Sequence, residues 1–230
     1  LFRRIRMATI GRDLRIWDAS TGRLLLPLIF GMIAIVPVQA YCQGVSNGLV
    51  APGFGRFLLH YFTFQPWPKG AFDGWDSGIT WNHLWYLAYL WSYTVLLALL
   101  QPALRSRAGE RLRAAFGGLR GARLLLWPAL PLLLYTVTLQ QRFPDTHELI
   151  NDWYVHAMYF TVFLYGWWLA NDDALWQELA RLRKPALWAA LACGSAYLAL
   201  VVAYRAGEDI APWLQWLIWA LRNLYVWLTL

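Results

Sequence analysis

Charge is scarce in this sequence: Asp, Glu, Lys and Arg together make up 14% of its 230 residues, against about a quarter in a soluble domain. Cysteine is scarcer still, with Cys42 and Cys193 alone, which excludes a secreted scaffold stapled by disulfides. No apolar core follows the basic start Leu1-Phe2-Arg3-Arg4-Ile5-Arg6, so no cleavable signal is written there. The chain opens on Leu rather than Met, which reads as a fragment of a longer protein. What it has in excess is apolar and aromatic: 59% hydrophobic residues and 16 tryptophans. That composition excludes a disordered chain. It also excludes an ordinary cytosolic enzyme, because the apolar residues come in blocks long enough to cross a bilayer.

A spanning helix needs about 20 mostly apolar residues. Six runs qualify: 24–42, 84–104, 122–140, 153–170, 186–204 and, less cleanly, 212–230. The expected fold is therefore all-α: a polytopic helix bundle of about six spans in one integral membrane domain over 1–230. Cys42 then falls at the outer end of one span and Cys193 near the middle of another, depths that do not suit a disulfide. Pro27 and Pro37 inside the first run free backbone carbonyls, which neighbouring helices must re-satisfy.

The net charge of +7 has two readings, nucleic-acid affinity or membrane orientation. Sorting by connector separates them. The segment before the first run, the connector 105–123 and the connector 171–185 hold fifteen of the Lys and Arg residues; the alternate connectors hold four, and Arg222 falls inside the last run. Cytoplasmic loops are the ones enriched in Lys and Arg. The N-terminus and 105–123 are thus expected in the cytoplasm, and the basic pI describes a topology with no nucleic acid as partner. Segment 105–123 could also lie on anionic lipid as a short helix. Trp81, Trp85, Tyr86, Trp153, Tyr154, Trp167, Trp168, Trp213 and Trp216 crowd the run ends, as an aromatic belt does.

The longest connector, 43–83, lies on the outer side and is rich in Gly, Pro and aromatics, too apolar to float free. Phe54 to Phe62 reads as a short interfacial or re-entrant helix, after which Pro66, Pro68, Gly70, Gly74 and Gly78 break the chain. Loops this long are commonly binding loops or lids. All four histidines, His60, His83, His147 and His156, fall near the outer face, and His is the usual general base near neutral pH. For His60 and His147 an interfacial role is the simpler reading. His83 sits among Trp81, Asn82 and Trp85 at the mouth of a span. His147 and Asp152 match a His-x4-Asp pattern, but at 3.6 residues per turn the two point about 140° apart, so the match reads as coincidence. Asp152 and His156 are four apart and share a helix face; there the carboxylate could orient the imidazole, or Asn151 or Asp152 could simply cap the helix. Arg222 is either a charge at membrane depth, a functional signal by default, or an anchor at the start of a span beginning near Asn223.

Three stretches in register carry a resemblance. Gly22-Arg23-Leu24-Leu25-Leu26-Pro27-Leu28-Ile29-Phe30-Gly31 resembles the helix opening R-L-x-x-P-x-x-x-G of the membrane acyltransferase 3 family. His83-Leu84-Trp85-Tyr86-Leu87 after the aromatic loop is similar to its H-L-W-F/Y-L signature. Asn151-Asp152-Trp153 followed by Phe163-Leu164-Tyr165-Gly166 is similar to its later D-W…F-L-x-G helix. The resemblance spans nearly the whole chain and comes nearest to the branch that includes glucan-modifying succinyltransferases. Family members carry an earlier helix with a catalytic Arg and His, upstream of where this chain starts, and the family's R-x-x-R is broken by Ser20.

The resemblance implies an enzyme of the inner membrane that moves an acetyl- or succinyl-type group from acyl-CoA to a hydroxyl of an envelope saccharide. No cofactor or metal is implied beyond the acyl-CoA co-substrate. It points to His83 as the catalytic base, with Trp81, Asn82, Trp85 and Tyr86 shaping the acceptor mouth. Asp152 and His156 are further candidates there, and Arg23 and Arg105 are candidates for the donor phosphates. The alternatives are a multi-span transporter or flippase for a glycan or lipid-linked substrate, which would show broken helices and intramembrane charges, and a non-catalytic partner subunit.

Overall fold

The computed structural model describes residues 22–146, 149–170, 172–204 and 211–230. Their regular structure is all helical, with no strand among the described residues. Contacts divide the chain into two compact units at Leu100–Gln101.

The first unit opens with α1, Gly22–Ser46. Pro37 has no N–H to give and crowds the turn before it, so the helix breaks at Ile35. There Val38 donates to the Ile35 carbonyl at 3.2 Å, a tighter turn. Gly31 lets Leu84 approach, because a Cβ would collide with the Leu84 side chain. Past the break, Val36, Pro37, Ala40 and Gly44 are buried. This C-terminal end of α1 holds the following loop at three points. Asn47 Nδ2 donates to the carbonyls of Gly70 and Ala71, both at 3.1 Å, Gln43 Oε1 accepts from Asp73 N at 3.3 Å, and Tyr41 Oη accepts from Gly53 N at 3.0 Å.

The loop is a folded aromatic cap. Helix α2, Phe54–Tyr61, turns Phe57 and Tyr61 inward to meet Ala40, Val50, Ala71 and Phe72. Phe57 packs 4.9 Å from the Trp67 ring, and Trp67 N donates to the Trp75 carbonyl at 2.7 Å. Gly70, Gly74 and Gly78 all adopt positive φ, the region open to glycine at no steric cost. A 3-10 turn, Asn82–Leu84, then leads into α3, Trp85–Leu104.

The second unit holds α4 (Arg107–Gly117), α5 (Ala122–Leu126), α6 (Ala129–Thr138), α7 (Trp153–Leu169), α8 (Asp173–Ala203) and α9 (Pro212–Thr229). The expected run 122–140 is therefore two helices, interrupted at Trp127–Pro128. Pro128 cannot donate to the carbonyl four residues back, that of Leu124. Trp227 Nε1 of α9 donates to it instead at 3.2 Å, as membrane helices require of their neighbours. Helix α9 lies along α8 and also meets α6. Gly194 allows the close approach, since a Cβ there would lie 2.8 Å from the Tyr225 ring. At the α4 end, Phe116, Leu124, Trp168, Leu175 and Leu182 form one buried cluster.

Among the described residues, three helices are long and apolar enough to cross a membrane: α1, the stretch Asn82–Leu104, and α8. A fourth is counted if α4 and the segment Ala122–Thr138, bent by 113°, form one broken span. Helix α7 has 17 residues and α9 has 18, about 26 and 27 Å at 1.5 Å per residue, a little under a hydrocarbon core of about 30 Å. Within the expected belt, Tyr154 and Trp168 are buried rather than facing lipid. Among the nine aromatics named, Tyr86, Trp153, Trp213 and Trp216 are the large exposed ones.

Candidate functional site

The residues expected around His83 belong to the first unit. Tyr61, fully buried, holds the approach to α3: its hydroxyl donates to the Thr80 carbonyl at 3.4 Å and accepts from Thr80 N at 3.3 Å. Burial pushes the Tyr61 phenol above its usual range, partly offset by the Thr80 bond, so it stays a protonated donor. Thr80 Oγ1 in turn accepts from Asn82 N at 3.0 Å, and Asn82 sits at φ 45. A non-glycine residue in that region marks a turn the surroundings enforce. His83 follows it. Its side chain is exposed and makes no hydrogen bond or ion pair with a described residue.

Trp85, Tyr89 and Tyr93, each four apart, form a column on one face of α3, with ring centroids 5.2 Å and then 6.2 Å apart. Tyr89 and Tyr93 are buried. Tyr86 is 56% exposed and lies three residues from His83, hence on the same side of the helix. Trp81 is half-buried at the start of the turn. An exposed imidazole with an exposed phenol and half-buried indoles near it in sequence can take a proton from a hydroxyl and stack on a sugar ring.

The second unit carries Asp152 and His156. Asp152 is fully buried at the cap position of α7. Its side chain does not cap the helix; Oδ1 accepts from Thr146 N at 2.8 Å and from Thr146 Oγ1 at 2.6 Å. His156 Nε2 lies 2.7 Å from the Leu149 carbonyl. A carbonyl only accepts, so the proton is on Nε2 and Nδ1 keeps its lone pair in the neutral ring. His147 and Glu148, in the segment between them and α6, lie outside the described residues.

Deeper in this unit is a buried polar knot that the apolar runs concealed. Asn223 Nδ2 of α9 donates to Thr136 Oγ1 at 3.0 Å and to the Trp219 carbonyl at 2.8 Å. Thr136 Oγ1 donates to the Leu132 carbonyl at 3.0 Å and lies 3.2 Å from the Tyr154 hydroxyl. The knot ties α6, α7 and α9 together. The signal for it was present as an Asn and a Thr inside otherwise apolar runs. Helix α9 continues unbroken through Arg222, which puts that charge in mid-helix.

Arg23 and Arg105 are exposed, the first at the start of α1 and the second between α3 and α4. The other basic residues expected at the N-terminus, from Arg3 to Arg15, lie outside the described residues, as does Arg205. Both cysteines are free. No group of three or more His, Cys, Asp or Glu is arranged to hold a metal among the described residues. Comparison with known protein families, with curated proteins and with solved structures finds no match to this chain.

Proposed function

We propose that the chain is part of a membrane O-acyltransferase of the acyltransferase 3 type, acting in the inner membrane with its N-terminal end in the cytoplasm and six spans. The observation that carries the reading is His83: an exposed imidazole at the head of a span, in the stretch His83-Leu84-Trp85-Tyr86-Leu87, next to a folded aromatic cap. His83 takes the proton from an acceptor hydroxyl as its oxygen attacks the carbonyl of the acyl group, which cytoplasmic acyl-CoA supplies or which is passed across the membrane to this side. The tetrahedral oxyanion needs a donor or cation to hold it. It collapses with loss of the thiolate that carried the acyl group, which takes up the proton from the imidazolium. Trp81, Asn82, Trp85 and Tyr86 receive the saccharide, with Asp152 and His156 as secondary candidates. Arg23 and Arg105 meet the donor phosphates.

Labelled acyl-CoA supplied to membranes carrying the full-length protein is expected to label an envelope saccharide, and His83→Ala to abolish the label while insertion stays intact. Absence of label in every glycan and lipid fraction sinks the reading, and full activity in His83→Ala removes this residue from the site. Transport is the second reading, favoured by the breaks at Ile35 and Trp127–Pro128 and by the mid-helix Arg222. Passage of labelled glycan across sealed vesicles without acylation would select it.

A further inference from the structure

Helix α4 stands apart from the candidate site in composition and direction. It is bent by 113° from the segment Ala122–Thr138, so it runs across the direction of its neighbour. Two features fix it there. Phe116 stacks on Tyr165 at 4.8 Å and packs 5.3 Å from Trp168. The turn after the helix is held by Glu178, whose Oε1 accepts from Gly121 N at 2.7 Å.

With successive residues about 100° apart, Gly109 and Phe116 share the line that packs inward. Leu112, Ala108 and Ala115 fall side by side next to it, and all three are exposed, Leu112 by 56%. Arg113, Arg107 and Arg111 occupy the other half with Glu110, exposed as well. Arg120 does not join them: its guanidinium closes the helix end by donating to the carbonyls of Gly117 and Leu119. A short helix with a buried anchor, an open apolar strip and an open basic face fits the headgroup layer of a bilayer.

We infer that α4 lies in that layer and binds anionic phospholipid, with Arg107, Arg111 and Arg113 on the headgroups and Leu112 reaching the acyl boundary. Charge complementarity selects the occupant: three arginines face one glutamate, next to helices that cross the same membrane. A basic side chain near an anionic surface is worth about a fivefold change in binding.

The test uses the full-length protein in nanodiscs, with Leu112→Cys carrying a bimane label on a Cys42→Ser/Cys193→Ser background. Brominated phosphatidylglycerol or brominated phosphatidylcholine is titrated in, and quenching of the label is followed. Phosphatidylglycerol is expected to quench at the lower concentration. R107Q/R111Q/R113Q should raise its midpoint about a hundredfold, three such steps compounded, while R107K/R111K/R113K keeps the wild-type value. Equal quenching by the two lipids overturns the inference. So does a label that stays in water with both, or a phosphatidylglycerol preference that survives the glutamine variant.

Discussion

Glu178 shows how far one carboxylate can organise a connector. It accepts from Gly121 N and takes both Nε and Nη2 of Arg181, at 2.8 and 2.7 Å. The Arg181 hydrogen bonds first, and the Gly121 amide second, hold its carboxyl down to about 2 from the usual 4.5. A folded-state value below the ordinary one means the clamp contributes fully above pH about 4.5 and is lost as pH falls towards about 2. Arg181 is 66% exposed, so water screens the ion pair and the amide bond carries the order. Amide exchange at Gly121 in detergent-solubilised protein is expected to hold steady from neutral pH to about pH 5, relative to other amides, and to quicken below about 4.5. Glu178→Gln should exchange faster at neutral pH and lose the acid step. A Gly121 amide that keeps its full neutral-pH protection at pH about 3, relative to other amides, would show that the clamp does not depend on this carboxylate. The Glu178 bond was not legible beforehand, because its partner is a backbone group 57 positions away. Asp152 and His156 tell the same story. Their shared helix face followed from a spacing of four, but Thr146 and Leu149, which hold them, come from an irregular segment with no periodicity to read.

At the scale of elements, the runs of apolar residues pointed to helices, and two prolines coincide with breaks, whereas Pro102 and Pro185 lie inside unbroken helices. Pro37 and Pro128 each interrupt a helix where the missing N–H demands it. The cap was legible only in kind. Glycines, prolines and aromatics announced a loop too apolar to be solvated, but its fold depends on Gln43, Asn47 and Tyr41 reaching backbone atoms 12 to 30 residues on. No local pattern encodes such reach. Its glycines also differ in what they bear. Gly78 combines φ 73 with a Cβ position that collides with the Gln65 carbonyl, whereas Gly48, at φ 70, faces open space. Gly48→Ala is therefore expected to cost about 1 kcal/mol, the ordinary penalty of that conformation. Gly78→Ala should cost about 3 kcal/mol, because the backbone must also move. Protease nicking of 62–81 and the fluorescence of Trp67 and Trp75 report the cap: both should change in Gly78→Ala and barely in Gly48→Ala. Equal effects would mean that the Gln65 contact is soft.

At the scale of the molecule, charge and helix length bear on the same question from different directions. The alternation of Lys and Arg between connectors supports six crossings, while three helices, or four with the bent pair, meet the length and apolarity of a span. The difference lies in α7 and α9. Each falls a few ångströms short of the hydrocarbon core, a mismatch bilayers absorb by local thinning at fractions of a kcal/mol per Å. Each also carries a polar group, Asn223 and Tyr154, whose partners lie on neighbouring helices, so those two groups are satisfied internally, whereas Arg222 adds a charge within α9. Helix α8 is the opposite case. Its 31 residues extend about 46 Å, and the first three turns, with Asp173, Glu178, Arg181, Arg183 and Lys184, are polar enough to stand clear of the bilayer on one side. If α7 crosses, those turns lie on the side of 105–123 and opposite the connector 139–152. Single cysteines placed at the exposed positions Asp73, Ala122, Gln177 and Ala211, in a Cys42→Ser/Cys193→Ser background, separate the cases. A membrane-impermeant maleimide added to intact cells is expected to label 73 and 211 and to leave 122 and 177 until the cells are opened. Labelling of 177 from outside would mean that α7 does not cross, and failure to label 211 that α8 does not.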